Sequence, residues 1–411
     1  PSPLKGTVPA IASKSMAHRL IICAALANGE THVTCNTTCA DIEATVRCLT
    51  ALGARIETVE DGFQVHPTMK SIEFGLLKAL AGGTLDCGES GSTARFLLPA
   101  AAYFLDCATL VGRGRLPARP FAALTDALRA NGTAVRGDFL PIAVSGGLHA
   151  GVYRMRGDVS SQFFTGLLLA LPALGRESSV ELTTPLESAP YVALTNAVLR
   201  AFGVEIEETP SGFRVPAGAA YRAPAGLAAE GDWSSGAFWL LARALGSDVA
   251  VTGLSETSAQ GDRRVTALLD EIGAPAPSRS IDMTDVPDLL PALAVAAGAS
   301  TGRTVFRGAA RLRLKESDRL QSICAGLNAI GGRASETADG IVVEGTGGFA
   351  GGRVDSFGDH RIAMAFAVAA AASERPVTVC GAECASKSYD TFFDEYERLG
   401  GRLSIEGSAR A

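Results

Sequence analysis

The stretch Leu49-Thr50-Ala51-Leu52-Gly53-Ala54-Arg55-Ile56-Glu57-Thr58-Val59-Glu60-Asp61-Gly62-Phe63-Gln64-Val65 reads as a helix end, a strand, a turn and a second strand. Gly53 stands where a helix C-cap needs positive φ, and the alternating apolar residues after it suit strands with one buried face. The same form, Leu-x-x-apolar-Gly followed by a short strand, recurs at Leu128 to Gly132, Leu199 to Gly203, Leu269 to Gly273, Leu327 to Gly331 and around Leu399 to Gly400. Second strands after a turn are legible at Pro210 to Val215 and Asp339 to Val343. The spacing of roughly 60 to 80 residues exceeds that of solenoid repeats, so each copy is a small α/β element of its own. Six copies predict a pseudo-symmetric α/β chain.

Between these ends lie four helix starts with an unusual charge. Ser13-Lys14-Ser15-Met16-Ala17-His18-Arg19, Ser90-Gly91-Ser92-Thr93-Ala94-Arg95, Lys315-Glu316-Ser317-Asp318-Arg319 and Asp359-His360-Arg361 each put a cation near a helix N-terminus. A helix start carries partial positive charge and unpaired N–H donors, so a cation there costs a few tenths to ~1 kcal/mol. That cost vanishes when an anion sits between them. The small and hydroxyl residues at these starts leave room for a phosphate against the backbone amides. Lys315 and Arg319, four apart, read as one helix face, where like charges repel by roughly 0.2–0.5 kcal/mol. Asp288, between apolar neighbours in Val286-Pro287-Asp288-Leu289, reads as a helix N-cap or as a buried carboxylate in need of a partner.

Composition bounds the class. A length of 411 residues suits two or three domains, and 47% apolar with 19% charged residues describes a globular chain. The net charge of -6 argues against nucleic acid or an anionic membrane as partner, because such binders need a cationic field. Nine cysteines, odd in number and without a CxxC pair, read as buried thiols of a reducing cytosol rather than as a metal site. The apolar runs fall short of the ~20 residues a membrane span needs. The N-terminal residues lack signal-peptide order, so a cytoplasmic location is expected. Gly88-Glu89-Ser90-Gly91-Ser92 lacks the second glycine of GxSxG, which excludes a serine hydrolase at motif level.

The blocks Ser13-Lys14-Ser15 with Arg19, Gly91 to Arg95, Arg119-Pro120, Ser160-Ser161-Gln162, Pro287-Asp288, Lys315 to Arg319, Asp359-His360-Arg361 and Lys387 carry a resemblance from end to end. The chain resembles the 5-enolpyruvylshikimate-3-phosphate synthases (3-phosphoshikimate 1-carboxyvinyltransferases) of the enolpyruvyltransferase family. The resemblance implies two similar α/β domains, each of three βαβαββ units in an inside-out barrel-like arrangement. Residues 1–13 with 231–411 would form a phosphoenolpyruvate-side domain, and 14–230 a shikimate 3-phosphate-side domain. It also implies transfer of the enolpyruvyl group of phosphoenolpyruvate to the 5-hydroxyl of shikimate 3-phosphate. Phosphate is released by addition and elimination, within aromatic amino-acid (chorismate) biosynthesis. No cofactor or metal is implied. The implied partners are the two small polyanions alone, bound to a monomer, with glyphosate as an inhibitor at the phosphoenolpyruvate site.

Carried over residue by residue, the resemblance assigns shikimate 3-phosphate to Lys14, Ser15, Arg19, Ser160, Ser161, Gln162, Ser188, Tyr191, Asp288 and Lys315. Phosphoenolpyruvate falls to Lys14, Gly91, Arg95, Arg119, Gln162, Arg319, Arg361 and Lys387. Asp288 would accept the 5-hydroxyl proton, Glu316 would protonate the methylene carbon, and Lys315 would carry protons between them, with Lys14 and His360 as further catalytic groups. Two departures stand out: Ala12 replaces the glycine usual before Ser-Lys-Ser, and Glu89 replaces an asparagine common near phosphoenolpyruvate. The sister transferase acting on UDP-N-acetylglucosamine uses a reactive cysteine in a mobile Gly-rich loop, and no cysteine here occupies one. A non-catalytic anion-binding relative would be expected to lose Asp288, Lys315 or Glu316, and all three are present.

Overall fold

A computed structural model describes residues 3–67 and 83–405. The chain divides into two compact units. Unit 1 comprises Pro1–Ile11, Gly231–Glu256 and Asp262–Ala411, and unit 2 comprises Ala12–Glu230 with Thr257–Gly261. The short return Thr257–Gly261 groups with unit 2 through Glu230, whose Oε1 accepts from Ser258 Oγ at 2.6 Å and Gln260 Nε2 at 3.0 Å. Each unit has its own hydrophobic core. Among the described residues no helix is long and apolar enough to cross a membrane.

The repeated element has one topology. In unit 2, Gly83–Asp86 runs parallel to Cys107–Val111, which pairs antiparallel with Ile142–Ser145, and Ala134–Arg136 completes the edge. Helix Gly91–Phe104 makes the crossover between the parallel strands. Val152–Met155, Ser178–Leu182, Gly212–Val215 and Glu207–Thr209 repeat this order, with helix Ser161–Ala170 as crossover. In the third sheet the first strand, Gly226–Ala228, arrives from the far end of the segment to lie parallel to Thr31–Thr34, beside Gly62–His66 and Arg55–Val59. Unit 1 holds one such sheet, of Ser278–Asp282, Arg303–Arg307, Ile341–Glu344 and Arg333–Glu336. It also holds two parallel pairs, Lys5–Pro9 with Asp248–Thr252 and Gly352–Asp355 with Val377–Cys380.

The helix ends explain which elements are complete. Gly53, Gly132, Gly203, Gly331 and Gly400 all have positive φ, as a C-cap requires. Gly273 does not: it is the last residue of helix Val265–Gly273, and the strand after it, Ser278–Asp282, opens the next sheet instead of closing its own. The four glycines followed by a hairpin are those of the four-stranded sheets. Gly166 brings helix Ser161–Ala170 against helix Gly91–Phe104, since a Cβ there would collide with the Arg95 carbonyl. Backbone contact at that point places Arg95 beside Gln162.

Candidate active site

The charged helix starts gather into two clusters, one within each unit. In unit 2, Ser13 caps helix Lys14–Leu26 by accepting from Met16 N, and Lys14 Nζ bonds Asp41 Oδ2 at 2.8 Å. Ala12 keeps an ordinary negative φ, because Ser188 and Phe357 are the non-glycine residues with positive φ among those described. Arg19 is 2% exposed. Its Nε donates to Thr195 Oγ1 (2.9 Å), Nη1 to the Ser15 carbonyl (2.6 Å), and Nη2 to the Tyr191 carbonyl (3.0 Å) and Thr165 Oγ1 (3.3 Å). Burial lowers its pKa to about 10, which leaves it charged at neutrality. Arg19 thereby braces the backbone of two expected ligands, Ser15 and Tyr191.

Gly91 begins the second start, under the Ser90 cap, which accepts from Thr93 N. A methyl group on Gly91 would lie 2.6 Å from Arg95 Nη1 and 2.8 Å from Arg119 Nη1, so the missing side chain is what admits two guanidiniums. Arg95 Nη1 donates to Gln162 Oε1 at 2.9 Å, and Gln162 Nε2 to Ser92 Oγ at 3.0 Å. The Arg95 guanidinium lies over the rings of Phe121 and Phe163, at 5.0 and 5.5 Å. Arg119 follows the tight turn Leu116–Ala118 and is nearly buried. Ser160 caps helix Ser161–Ala170, and Ser161 is buried in its first turn. Ser188 precedes helix Ala189–Ala201 at φ 56°, a conformation that costs a non-glycine residue of order 1–3 kcal/mol. Glu89 is exposed and its carboxylate lies against Gly114.

In unit 1 the cluster centres on Arg319, which is 1% exposed. Its Nη1 donates to Asp288 Oδ1 (2.7 Å), Nη2 to Glu316 Oε2 (2.8 Å) and Nε to Asp359 Oδ2 (2.8 Å). Arg361 Nη2 meets Asp288 Oδ2 at 3.2 Å and Lys315 Nζ lies 3.6 Å from Asp288 Oδ1. Burial opposes the charged form of Asp288, but Arg361, Lys315 and Arg319 outweigh it and hold the carboxyl well below the usual carboxylate range. Asp359 is lowered too: burial opposes its charge, and Arg319 overrides it. His360 is buried in the first turn of the helix that Asp359 caps, and Lys387 Nζ bonds the Gly358 carbonyl at 3.1 Å.

Three readings of the sequence are corrected here. Lys315 and Arg319 do not share a helix face: Asp318 adopts extended angles and accepts from Gln321 N, so the helix begins at Arg319 and Lys315 closes the preceding turn Ala310–Leu314. Asp288 does not cap a helix, because it lies inside the turn Pro287–Leu289 and its oxygens go to cations. Not all cysteines are buried. Cys107 is exposed on a strand and Cys380 half-buried, although all nine are free thiols. Residues that sequence reasoning missed are Asp41 and Ser92 in unit 2, and Asp262 in unit 1. Asp262 is buried, accepts from Ser234 Oγ, and has its pKa raised to about 7 by burial and then by Asp288. Asp41 carried no signal, since an acid in the first turn of helix Ala40–Ala51 is ordinary dipole compensation.

Comparison with known proteins agrees with these motifs. The family profile of EPSP synthase (3-phosphoshikimate 1-carboxyvinyltransferase) matches residues 1–396. The 3-phosphoshikimate 1-carboxyvinyltransferase of Clostridium kluyveri is 38% identical over 420 residues, covering 98% of this chain and 97% of its own. That of Clostridioides difficile is 37% identical over 426 residues, covering 98% and 97%. The solved EPSP synthase from Acinetobacter baumannii superposes with a TM-score of 0.79 at 27% identity, over 98% of each chain. On the strength of the whole-length profile and these relatives, the chain belongs to the EPSP synthase (3-phosphoshikimate 1-carboxyvinyltransferase) family.

Proposed function

We propose that this enzyme transfers the enolpyruvyl group of phosphoenolpyruvate to the 5-hydroxyl of shikimate 3-phosphate, releasing phosphate. The observation that carries the mechanism is Asp288, a carboxylate held ionised by Arg319, Arg361 and Lys315 with Glu316 on the same arginine. Addition joins the 5-hydroxyl oxygen to the central carbon of phosphoenolpyruvate. Its proton passes to Asp288, and the methylene carbon takes a proton from Glu316 or Lys315. Elimination expels phosphate, and loss of a methyl proton restores the double bond.

A carboxylate held so low is a weak base. A substrate anion at these cations competes with Asp288 for them, which loosens their hold and raises its basicity when the proton must move. In unit 2, Arg95 and Arg119 around bare Gly91, with Gln162, suit the phosphate or carboxylate of phosphoenolpyruvate. Lys14, Ser15, Ser160, Ser161, strained Ser188 and Tyr191 suit shikimate 3-phosphate, with Arg19 bracing the backbone of Ser15 and Tyr191. On this reading Asp288, Glu316 and Lys315 are the proton carriers, His360 and Lys14 are further catalytic groups, and Arg319, Arg361 and Lys387 are phosphoenolpyruvate ligands. The test is phosphate release from phosphoenolpyruvate at neutral pH without added metal. Release that depends on shikimate 3-phosphate is the expected result, and its absence sinks the proposal.

A further inference from the structure

In unit 2 a run of buried side chains joins the two charged helix starts, and the reaction above gives it no role. His18 lies on helix Lys14–Leu26, Thr45 on Ala40–Ala51 and Thr93 on Gly91–Phe104. His18 Nδ1 is 2.7 Å from Thr45 Oγ1, and Thr45 Oγ1 is 2.7 Å from Thr93 Oγ1. Thr93 Oγ1 in turn reaches Ser90 Oγ at 2.8 Å and the Asp41 carbonyl at 3.3 Å. None of the three is more than 1% exposed. The Thr93 end of the run meets both starts: Asp41, whose carbonyl it reaches, holds Lys14 through its carboxylate, and Ser90 caps the Gly91 helix.

The bonds have one direction. An N–H at His18 Nε2 would be a buried donor with no hydrogen-bond partner among the described residues, so the imidazole proton sits on Nδ1 and Nε2 is a bare acceptor. Nδ1 then donates to Thr45 Oγ1, Thr45 to Thr93 Oγ1, and Thr93 to Ser90 Oγ or the Asp41 carbonyl. The ring meets Phe96 edge-on at 6.2 Å. Burial lowers the His18 pKa to about 3, so the ring stays neutral. Three helices are thus linked through buried hydroxyl groups whose bonds are made within the protein, which ties the positions of the helices to one another.

We infer that His18, Thr45 and Thr93 are positioning residues, whose one-way hydrogen-bond chain holds the Lys14 start and the Gly91 start in a single relation so that the cations at both are aimed before substrate arrives. The inference rests on the proposed reading of those two starts as substrate-binding.

Thr45→Val removes the central hydroxyl at nearly constant volume, and Thr45→Ser keeps it. The Thr45→Val enzyme should show KM for both substrates raised roughly five- to thirtyfold, the equivalent of one or two buried hydrogen bonds, with kcat changed far less. Thr45→Ser should restore both constants. An active wild type whose KM values do not move in Thr45→Val, even if the variant melts earlier, overturns the inference alone. A wild type without shikimate 3-phosphate-dependent phosphate release overturns the functional reading and the inference with it. Should Thr45→Val not fold, nitrogen-15 spectra of the wild type, with His18 assigned by its loss in His18→Asn, still decide: a neutral Nδ1–H ring supports the chain, and an Nε2–H or protonated ring at pH 6 overturns it.

Discussion

A glycine and two arginines show how far single residues were readable. Gly91 was legible as a position needing a bare backbone, but its neighbours were not. A methyl there would press on the guanidinium ends of Arg95 and Arg119, and Arg95 already lies over the rings of Phe121 and Phe163. Gly91→Ala should therefore weaken phosphoenolpyruvate itself as well as glyphosate, by roughly 1–3 kcal/mol each, the usual range for overpacking. Steady-state KM for phosphoenolpyruvate and the glyphosate inhibition constant measure this, and two unchanged constants would remove Gly91 from the site. Arg119→Ala should weaken phosphoenolpyruvate by roughly 2–5 kcal/mol while shifting shikimate 3-phosphate much less. Calorimetric titration with each ligand checks it, and equal losses would contradict the assignment. Glu89, a departure from the family pattern, turns its carboxylate to Gly114, a destination that no spacing rule could specify.

Helix starts were legible as anomalies, but what balances each one was not. Asp359 caps helix His360–Ala369 by accepting from Arg361 N at 3.0 Å and also grips Arg319, with both members of that pair buried. Removing one partner of a buried pair leaves an uncompensated charge. Asp359→Ala should cost roughly 3–5 kcal/mol of stability, whereas Asp359→Asn, which keeps a cap acceptor and leaves Arg319 its other two carboxylates, should cost less. Denaturant melts of the two variants give the comparison, and equal losses would show that the charge alone matters and the cap does not. The helix-face reading of Lys315 and Arg319 failed for a related reason. Spacing of four residues implies a shared face only inside a helix, and Asp318 starts the helix one residue before Arg319.

At the scale of the whole molecule, two buried titrating groups pull in opposite directions, one in each unit. His18 in unit 2 has a folded pKa of about 3 against an ordinary 6.5, so acid protonates the unfolded chain first and stability is lost as pH falls below 6.5. Asp262 in unit 1 has a folded pKa of about 7 against 3.8, so the folded state holds a proton that the unfolded state lacks, and stability is lost as pH rises from 3.8 through 7. Asp288 and Asp359 are both held below 3.8, and stability tied to their charge is lost only in stronger acid. Between pH 7 and 5, hydrogen exchange corrected for intrinsic rates should show protection falling in the core of unit 2 and rising in that of unit 1. His18→Asn and Asp262→Asn should each flatten the response of their own unit, and parallel behaviour of the two cores would refute the assignment. The sequence by itself determined the α/β class, the six helix ends and the identity of the cationic blocks, because helix caps, strand alternation and charge at a helix start are local effects encoded within a few residues. Only the tertiary structure decided that four of those ends close a four-stranded sheet, that Asp288 is neutralised by three cations and that Asp41 holds Lys14. Those outcomes depend on which side chains burial forces together across 27 to 73 residues of chain, where an unpaired charge or donor is too costly to leave alone.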